Sequence, residues 1–140
     1  MRKKLFILFG LFNFIFIWAQ NPMDVVHTYG AYPGFNNIVK DIVIQPDGKS
    51  ICVGVFTKYR GNTCNYIVRL NVDGSIDPSF LMGNGFNDKV NSVTLQPDGK
   101  ILIGGWFTSF NGVSRNHISR LNINGTIDYS FDPGTGANNN

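Results

Sequence analysis

The apolar positions of this chain fall into short runs broken by turn residues, and the spacing of the runs recurs. From Val39, VKDIVI alternates apolar and polar residues and stops at Gln-Pro-Asp-Gly-Lys. SICVGVF then follows, apolar on both faces. Alternation with a period of two marks a strand with one covered face, and an apolar run bounded by turn residues marks a strand covered on both. A Gly/Asn-rich stretch comes next, then YIVRLN, the turn VDGS and IDPSF. The pattern predicts four strands, at 39–44, 50–56, 66–71 and 76–80, joined as an antiparallel meander. Pro78 has no N–H to give a ladder and suits an edge position in the last of them.

The whole pattern is then written again. A shift of 51 residues carries Gln45 onto Gln96, and QPDGK onto QPDGK, without a gap. Phe35 and Asn36 fall on Phe86 and Asn87, and RLN at 69–71 falls on RLN at 120–122. Gly74, Ile76, Asp77, Ser79 and Phe80 fall on Gly125, Ile127, Asp128, Ser130 and Phe131. The second set of strands is therefore predicted at 90–95, 101–107, 117–122 and 127–131. Meanders of about 50 residues that are apolar on both faces are the pattern of β-propeller blades, because each blade buries its faces against its neighbours. A stacked β-solenoid is the rival, with shorter turns.

The expected fold class is all-β: two four-stranded antiparallel blades, at 39–85 and 86–136, of an incomplete propeller. Residues 20–38 are expected to hold an outer strand of a preceding blade (DVVHTY, with Tyr29 at the place of Phe80) and a linker. Residues 137–140 are expected to open a third repeat, since GTGANNN copies GNGFND. A closed propeller takes about four to eight blades. The expected partners are accordingly further blades of a longer chain, of which this is a fragment, or other copies of itself.

Composition agrees with this picture. All nine acidic residues are Asp, Glu is absent and Gly is abundant, which favours turns over helix interiors. The N-terminus is a separate object. MRKK precedes the apolar run LFILFGLFNFIFIW, and Ala19-Gln20 offers a cleavage point, so residues 1–19 read as a secretory signal peptide. The run is short for a membrane span and is interrupted by Asn13. With no Cys at the cleavage point, a lipoprotein anchor has no support. Arg2, Lys3 and Lys4 account for the excess of 12 Lys+Arg over 9 Asp+Glu, so the remainder is neutral. Nucleic acid is excluded for want of a basic footprint, and a polybasic lipid contact likewise. The expected location is secreted or at the cell surface, with no stable membrane span after cleavage.

Candidate chemistry is sparse. Asp47-Gly48 and Asp98-Gly99 read as structural turns, because Gly accepts φ > 0 and Pro presets the preceding angle. A phosphate loop would need more glycines and a following helix. NVDGSID and NINGTID place oxygens at alternate positions (Asn71, Asp73, Asp77; Asn122, Asn124, Asp128), as calcium loops do, but no Glu closes them. A two-residue hairpin turn is the main reading there, and a calcium site the alternative. Arg69 and Arg120 interrupt apolar strands, and Asp77 and Asp128 recur one strand later. A buried Arg needs a partner, so an internal polar network of Arg69 with Asp77 and Arg120 with Asp128, linking strands or blades, is expected, with a ligand-facing Arg the alternative.

Cys52 stands where Ile103 stands and is expected in the core. With Phe56 opposite Tyr66, Cys52 comes near Leu70 and Cys64 lies out in the loop, about 20 Å away at strand rise, too far for a disulfide. His27 and His117 occupy unmatched repeat positions, and no Ser/His/Asp constellation is visible. Trp106, Phe110 and Asn111 are candidates for a sugar-binding rim, with core packing the main reading of Trp106.

The units, written as QPDGK, GGWFTSFNG, RNHISRLN, NGTIDYSF and PGTG in the second copy, resemble the delta-60 repeat, a bacterial β-propeller repeat domain. The first copy departs from it at KYRGNTCN. The resemblance implies propeller blades in large secreted or surface proteins, and implies no catalytic activity. The expected function is a non-enzymatic binding or scaffold module outside the cell, with no catalytic residues and no cofactor, for an extracellular protein or glycan. The alternative is a segment of a carbohydrate-active hydrolase or lyase whose site lies in further blades. A glycosidase pair here would have to be two Asp.

Overall fold

The computed structural model describes residues 5–8, 14–17 and 34–137 and divides into two units, Met1–Pro33 and Gly34–Asn140. In the first unit, β1 (Leu5–Leu8) pairs antiparallel with β2 (Phe14–Ile17). The rest of the expected leader, the strand expected at 24–29 and His27 lie outside the described residues. No helix among the described residues is long and apolar enough to cross a membrane.

The second unit holds the two repeats as two antiparallel sheets. In the first, β3 (Val39–Ile44), β4 (Ser50–Gly54) and β7 (Ile67–Leu70) lie in the order β3-β4-β7. Between β4 and β7 a small hairpin rises from the loop, made of β5 (Lys58–Tyr59) and β6 (Asn62–Thr63). The second repeat follows the same plan, with β8 (Val90–Leu95), β9 (Ile101–Gly105) and β12 (Ile118–Leu121) in one sheet. Its loop hairpin is β10 (Ser109–Phe110) with β11 (Val113–Ser114).

The fold is all-β with antiparallel blades, as expected, but the fourth segment of each blade is thinner than the pattern predicts. Residues 76–80 and 127–131 contribute one bridge each, Leu70 to Ile76 and Leu121 to Ile127. The next residue explains why. The Asp77 carboxylate accepts the Ser79 N–H, and the Asp77 carbonyl accepts that of Phe80, which bends the chain into a turn. Asp128 does the same to Ser130 and Phe131.

A second correction concerns register. The Tyr66 carbonyl accepts the Gly54 N–H at 3.2 Å, while its own N–H donates to Phe56 at 2.9 Å. Tyr66 thus serves two partners with φ at 67°, a bulge that ends the predicted strand 50–56 at Gly54. Pairing beyond the bulge is offset, and Cys52 faces Val68 rather than Leu70. His117 repeats the arrangement with φ at 64°. Gly54 itself is required, because a Cβ there would collide with the Ile38 carbonyl.

The core lies chiefly between the blades. Ile51, Val53 and Ile67 of the first blade share a buried cluster with Val93, Ile101, Ile103 and Leu121 of the second. These side chains follow the pleat: Val43, Ile51 and Arg69 are cross-strand neighbours on the covered face, and Ile42, Cys52 and Val68 on the other. A second cluster of Cys52, Phe56, Tyr59, Cys64, Val68 and Leu70 lies within the first blade.

Candidate functional site

Polar side chains converge at one recurring place in each blade, where the third strand meets the turn that follows it. In the first blade Arg69 Nε donates to Asp77 Oδ2 at 2.8 Å, and Lys49 Nζ donates to the same oxygen at 2.9 Å. The other carboxylate oxygen accepts both the N–H and the hydroxyl of Ser79. Arg69 Nη2 reaches Ser79 Oγ, and its guanidinium lies over the Phe80 ring at 4.7 Å. Burial works to raise the Asp77 carboxyl, but the bonds from Lys49 and Ser79 and the Arg69 charge outweigh it. The group is held well below the usual carboxylate range.

The second blade repeats this at Arg120, Asp128, Lys100, Ser130 and Phe131, with Nε to Oδ2 at 2.7 Å. Bonds from Lys100 and Ser130 depress the Asp128 carboxyl, against a smaller effect of burial. The structure thus brings Arg69 to Asp77 and Arg120 to Asp128. Lys49 and Lys100, which join both pairs, recur at the 51-residue shift within QPDGK, but recurrence did not reveal their partner. They sit just after a turn, where a lysine reads as a solvated end.

The turns themselves are three-residue loops. Gln45 and Lys49 close the hairpin, Gly48 N–H bonds to the Gln45 carbonyl at 2.9 Å, and Gly48 has φ at 82°. Asp47 Oδ1 accepts the Lys49 N–H. The copy at Asp98 and Gly99 matches it. Asn71 to Ser75 and Asn122 to Thr126 close in the same way, which corrects the expected two-residue turn there. A type I turn followed by a glycine in the left-handed region needs the additional residue.

The calcium alternative meets a crowded site. Asp73 and Asn124 spend their side-chain oxygens on Ser75 and Thr126, and Asn71 and Asn122 donate to the same two hydroxyls. Asp77 and Asp128 each already face a lysine and an arginine. Among the described residues no group of three or more His, Cys, Asp or Glu is placed to hold a metal ion.

The proposed rim does not form as a unit. Phe110 is fully buried, packed with Phe86 and Phe107. Trp106 is 54% exposed, with Lys89 Nζ over its ring at 4.6 Å, so core packing does not describe it. Asn111 is exposed, but its Oδ1 receives the Asn84 N–H. Cys64 is also corrected: it is buried beside Cys52 in one cluster, and both thiols are free. Its loop folds back as the β5–β6 hairpin, which brings it inward. Burial pushes the Cys64 thiol up to about 11, with Cys52 adding to the shift.

What sequence reading missed is the clamp at the base of each loop. Asn36 Oδ1 accepts the N–H groups of Thr57 and Lys58, and Asn36 Nδ2 donates to Thr57 Oγ1. Asn87 does the same with Thr108 and Ser109. Phe35 and Phe86, one residue earlier, pack with tilted rings against Phe56 and Tyr59 and against Phe107 and Phe110. The recurrence of Phe-Asn at the 51-residue shift was the available signal. The clamps tie the bases of 57–65 and 108–116, with Lys58, Arg60, Asn62 and Thr63 exposed on the first loop and Asn111 and Ser114 on the second.

The family model described as "Domain of unknown function (DUF5122) beta-propeller" matches residues 45–80 and 96–131, one segment in each blade. No curated protein and no solved structure matches the chain.

Proposed function

The chain belongs to the DUF5122 β-propeller family, and from that membership we propose that it is an exported, non-enzymatic binding or scaffold module at the cell surface or outside the cell. Within the family we read its repeats as of the delta-60 kind, on the residues quoted above. The observation that carries the reading is where the reactive side chains go. Asp77, Asp128, Arg69, Arg120, Lys49 and Lys100 are spent on one another inside the blades. What remains outward is a pair of loops fixed at their bases by Asn36 and Asn87 but differing at their tips. A rigid scaffold with variable loops recognises by shape and surface polarity. The N-terminal run of residues 1–19 supports export.

The test is a glycan and extracellular-protein array probed with the protein and with a Lys58→Ser, Arg60→Asn variant, which puts the second loop's Ser109 and Asn111 residue types at the two charged positions of the first. Loss of a bound spot in the variant, with unchanged far-UV circular dichroism, is the expected result. Turnover of any polysaccharide by the protein would overturn it.

A further inference from the structure

The second blade's outer face stands at the repeat positions of the face by which the first blade holds the second, with Leu102, Ile118 and Arg120 at the places of Ile51, Ile67 and Arg69. On the first blade, Arg69 is 6% exposed and its Nη1 donates to the Ile123 carbonyl of the second blade at 2.6 Å. Beside it, the Asp41 carboxylate accepts the Val93 N–H at 2.9 Å. The same positions on the second blade are Arg120 and Ser92. Ser92 and Thr94 are exposed, and Arg120 is 21% exposed. Among the described residues Arg120 Nη1 finds no acceptor. Gln96 Oε1, at the position of the Gln45 oxygen that Arg69 Nη1 approaches at 3.4 Å, is buried and has no hydrogen-bond partner among the described residues. A cavity of about 120 Å³ indents this face, lined by Ser92, Thr94, Leu102, Gly104 and Ile118.

The first blade carries the complement on its opposite face. Ile42 and Ile44 stand where Val93 and Leu95 line the contact between blades, and they are 53% and 62% exposed. The Ile42 N–H bonds to its own Asp41 Oδ1, where Val93 uses the neighbouring blade's carboxylate. Val72 holds the place of Ile123, so its carbonyl is the counterpart of the one Arg69 uses.

We propose that these two faces bind each other between copies of this chain. The second blade of one copy takes the first blade of the next, head to tail, in the arrangement that joins the blades within a chain. Arg120 Nη1 then donates to the Val72 carbonyl of the incoming copy, and Leu102 and Ile118 cover Ile42 and Ile44. Such a contact is heterologous: it closes into a ring or extends as a filament. Rings of about two to four copies carry the roughly four to eight blades of a closed propeller. The Ala137 N–H bonds to the Asn116 carbonyl as the Phe86 N–H does to Asn65. Ala137 therefore holds the place that Phe35 of the incoming copy takes, and deletion of residues 137–140 tightens the contact.

The inference deepens the scaffold reading, and the two fail separately: a chain that binds no array spot can still assemble, and a monomer can still bind one. Sedimentation velocity over a hundredfold range of concentration tests it. The protein is expected to associate as concentration rises, whereas Leu102→Asp and Ile42→Asp each remain single chains at every concentration. Because each variant keeps one intact face, an equal mixture is expected to restore a two-chain species and nothing larger. Circular dichroism checks that both variants fold, and Thr94→Arg with Ile44→Arg serve as a second pair. A wild-type protein that stays a single chain throughout, or mixed variants that do not pair, would overturn the proposal.

Discussion

The two blades are nearly the same molecule written twice, yet one is finished and the other is not. Arg69 and Arg120 each hold an aspartate, a serine and the face of a phenylalanine at nearly equal distances. Only Arg69 also crosses to a neighbouring sheet, and it is more than three times less exposed than Arg120, at 6% against 21%. Ile51 is fully buried, and Leu102 at the same position is half-buried. Residue identity and strand register are thus local properties of a repeat, whereas burial comes from the neighbour. An ion pair desolvated by a second sheet depends far more on keeping both partners than one facing water.

The largest expected difference comes from the arginines. Arg69→Leu leaves the buried Asp77 with Lys49 as its one cationic partner, and should cost about 3–5 kcal/mol in urea unfolding. Arg120→Leu, measured at a dilution where chains are single, should cost about 1–2 kcal/mol. Equal losses would break the comparison. Next, Ile51→Ala should cost about 3 kcal/mol by emptying a closed site. Leu102→Ala should cost about 1 kcal/mol, because its half-buried site opens on one side and leaves no closed cavity. If the gap closes as protein concentration rises, the outer face of the second blade has found its own neighbour.

The asparagine clamps provide the control. They are internal to each repeat, so Asn36→Ala and Asn87→Ala should cost alike, about 1–2 kcal/mol each, as two backbone N–H groups lose their acceptor. Unequal losses would mean that blade position matters even within a repeat. Acid should act through both carboxylates. Asp77 and Asp128 titrate lower folded than unfolded, so each adds stability above the ordinary carboxylate value of about 3.9. That stability is lost as pH falls through the lower folded values. Asp77→Asn should flatten the acid limb of a stability–pH curve more than Asp128→Asn. The mildest effect is chemical. Both thiols are buried and raised by that burial, so native alkylation at pH 8 should be slower than in urea by about a hundredfold or more, read by mass spectrometry.

Much of this architecture was legible in one sequence because a repeat carries its own control. β3 and β8 run over the six residues that alternation predicts, and both turns sit at Pro-Asp-Gly. The errors share one cause. The fourth strands, the offset of Cys52 from Leu70 and the inward position of Cys64 all depend on where backbone N–H groups find acceptors. Asp77 captures the Ser79 N–H and ends a strand, and Tyr66 serves Gly54 and Phe56 at once. Periodicity is silent on such choices, since a bulge leaves the apolar count unchanged.

The division between the two sources of information is therefore physical. Side-chain pattern and turn chemistry act over a few residues, and they were enough to specify two blades, their hairpins and the Arg–Asp pairs within them. Whether an arginine is sealed in a core or left at a surface, and whether Phe110 joins the rim while Trp106 packs inside or the reverse, depends on sheets meeting across the fold. That meeting is a long-range event, and only the tertiary structure records it.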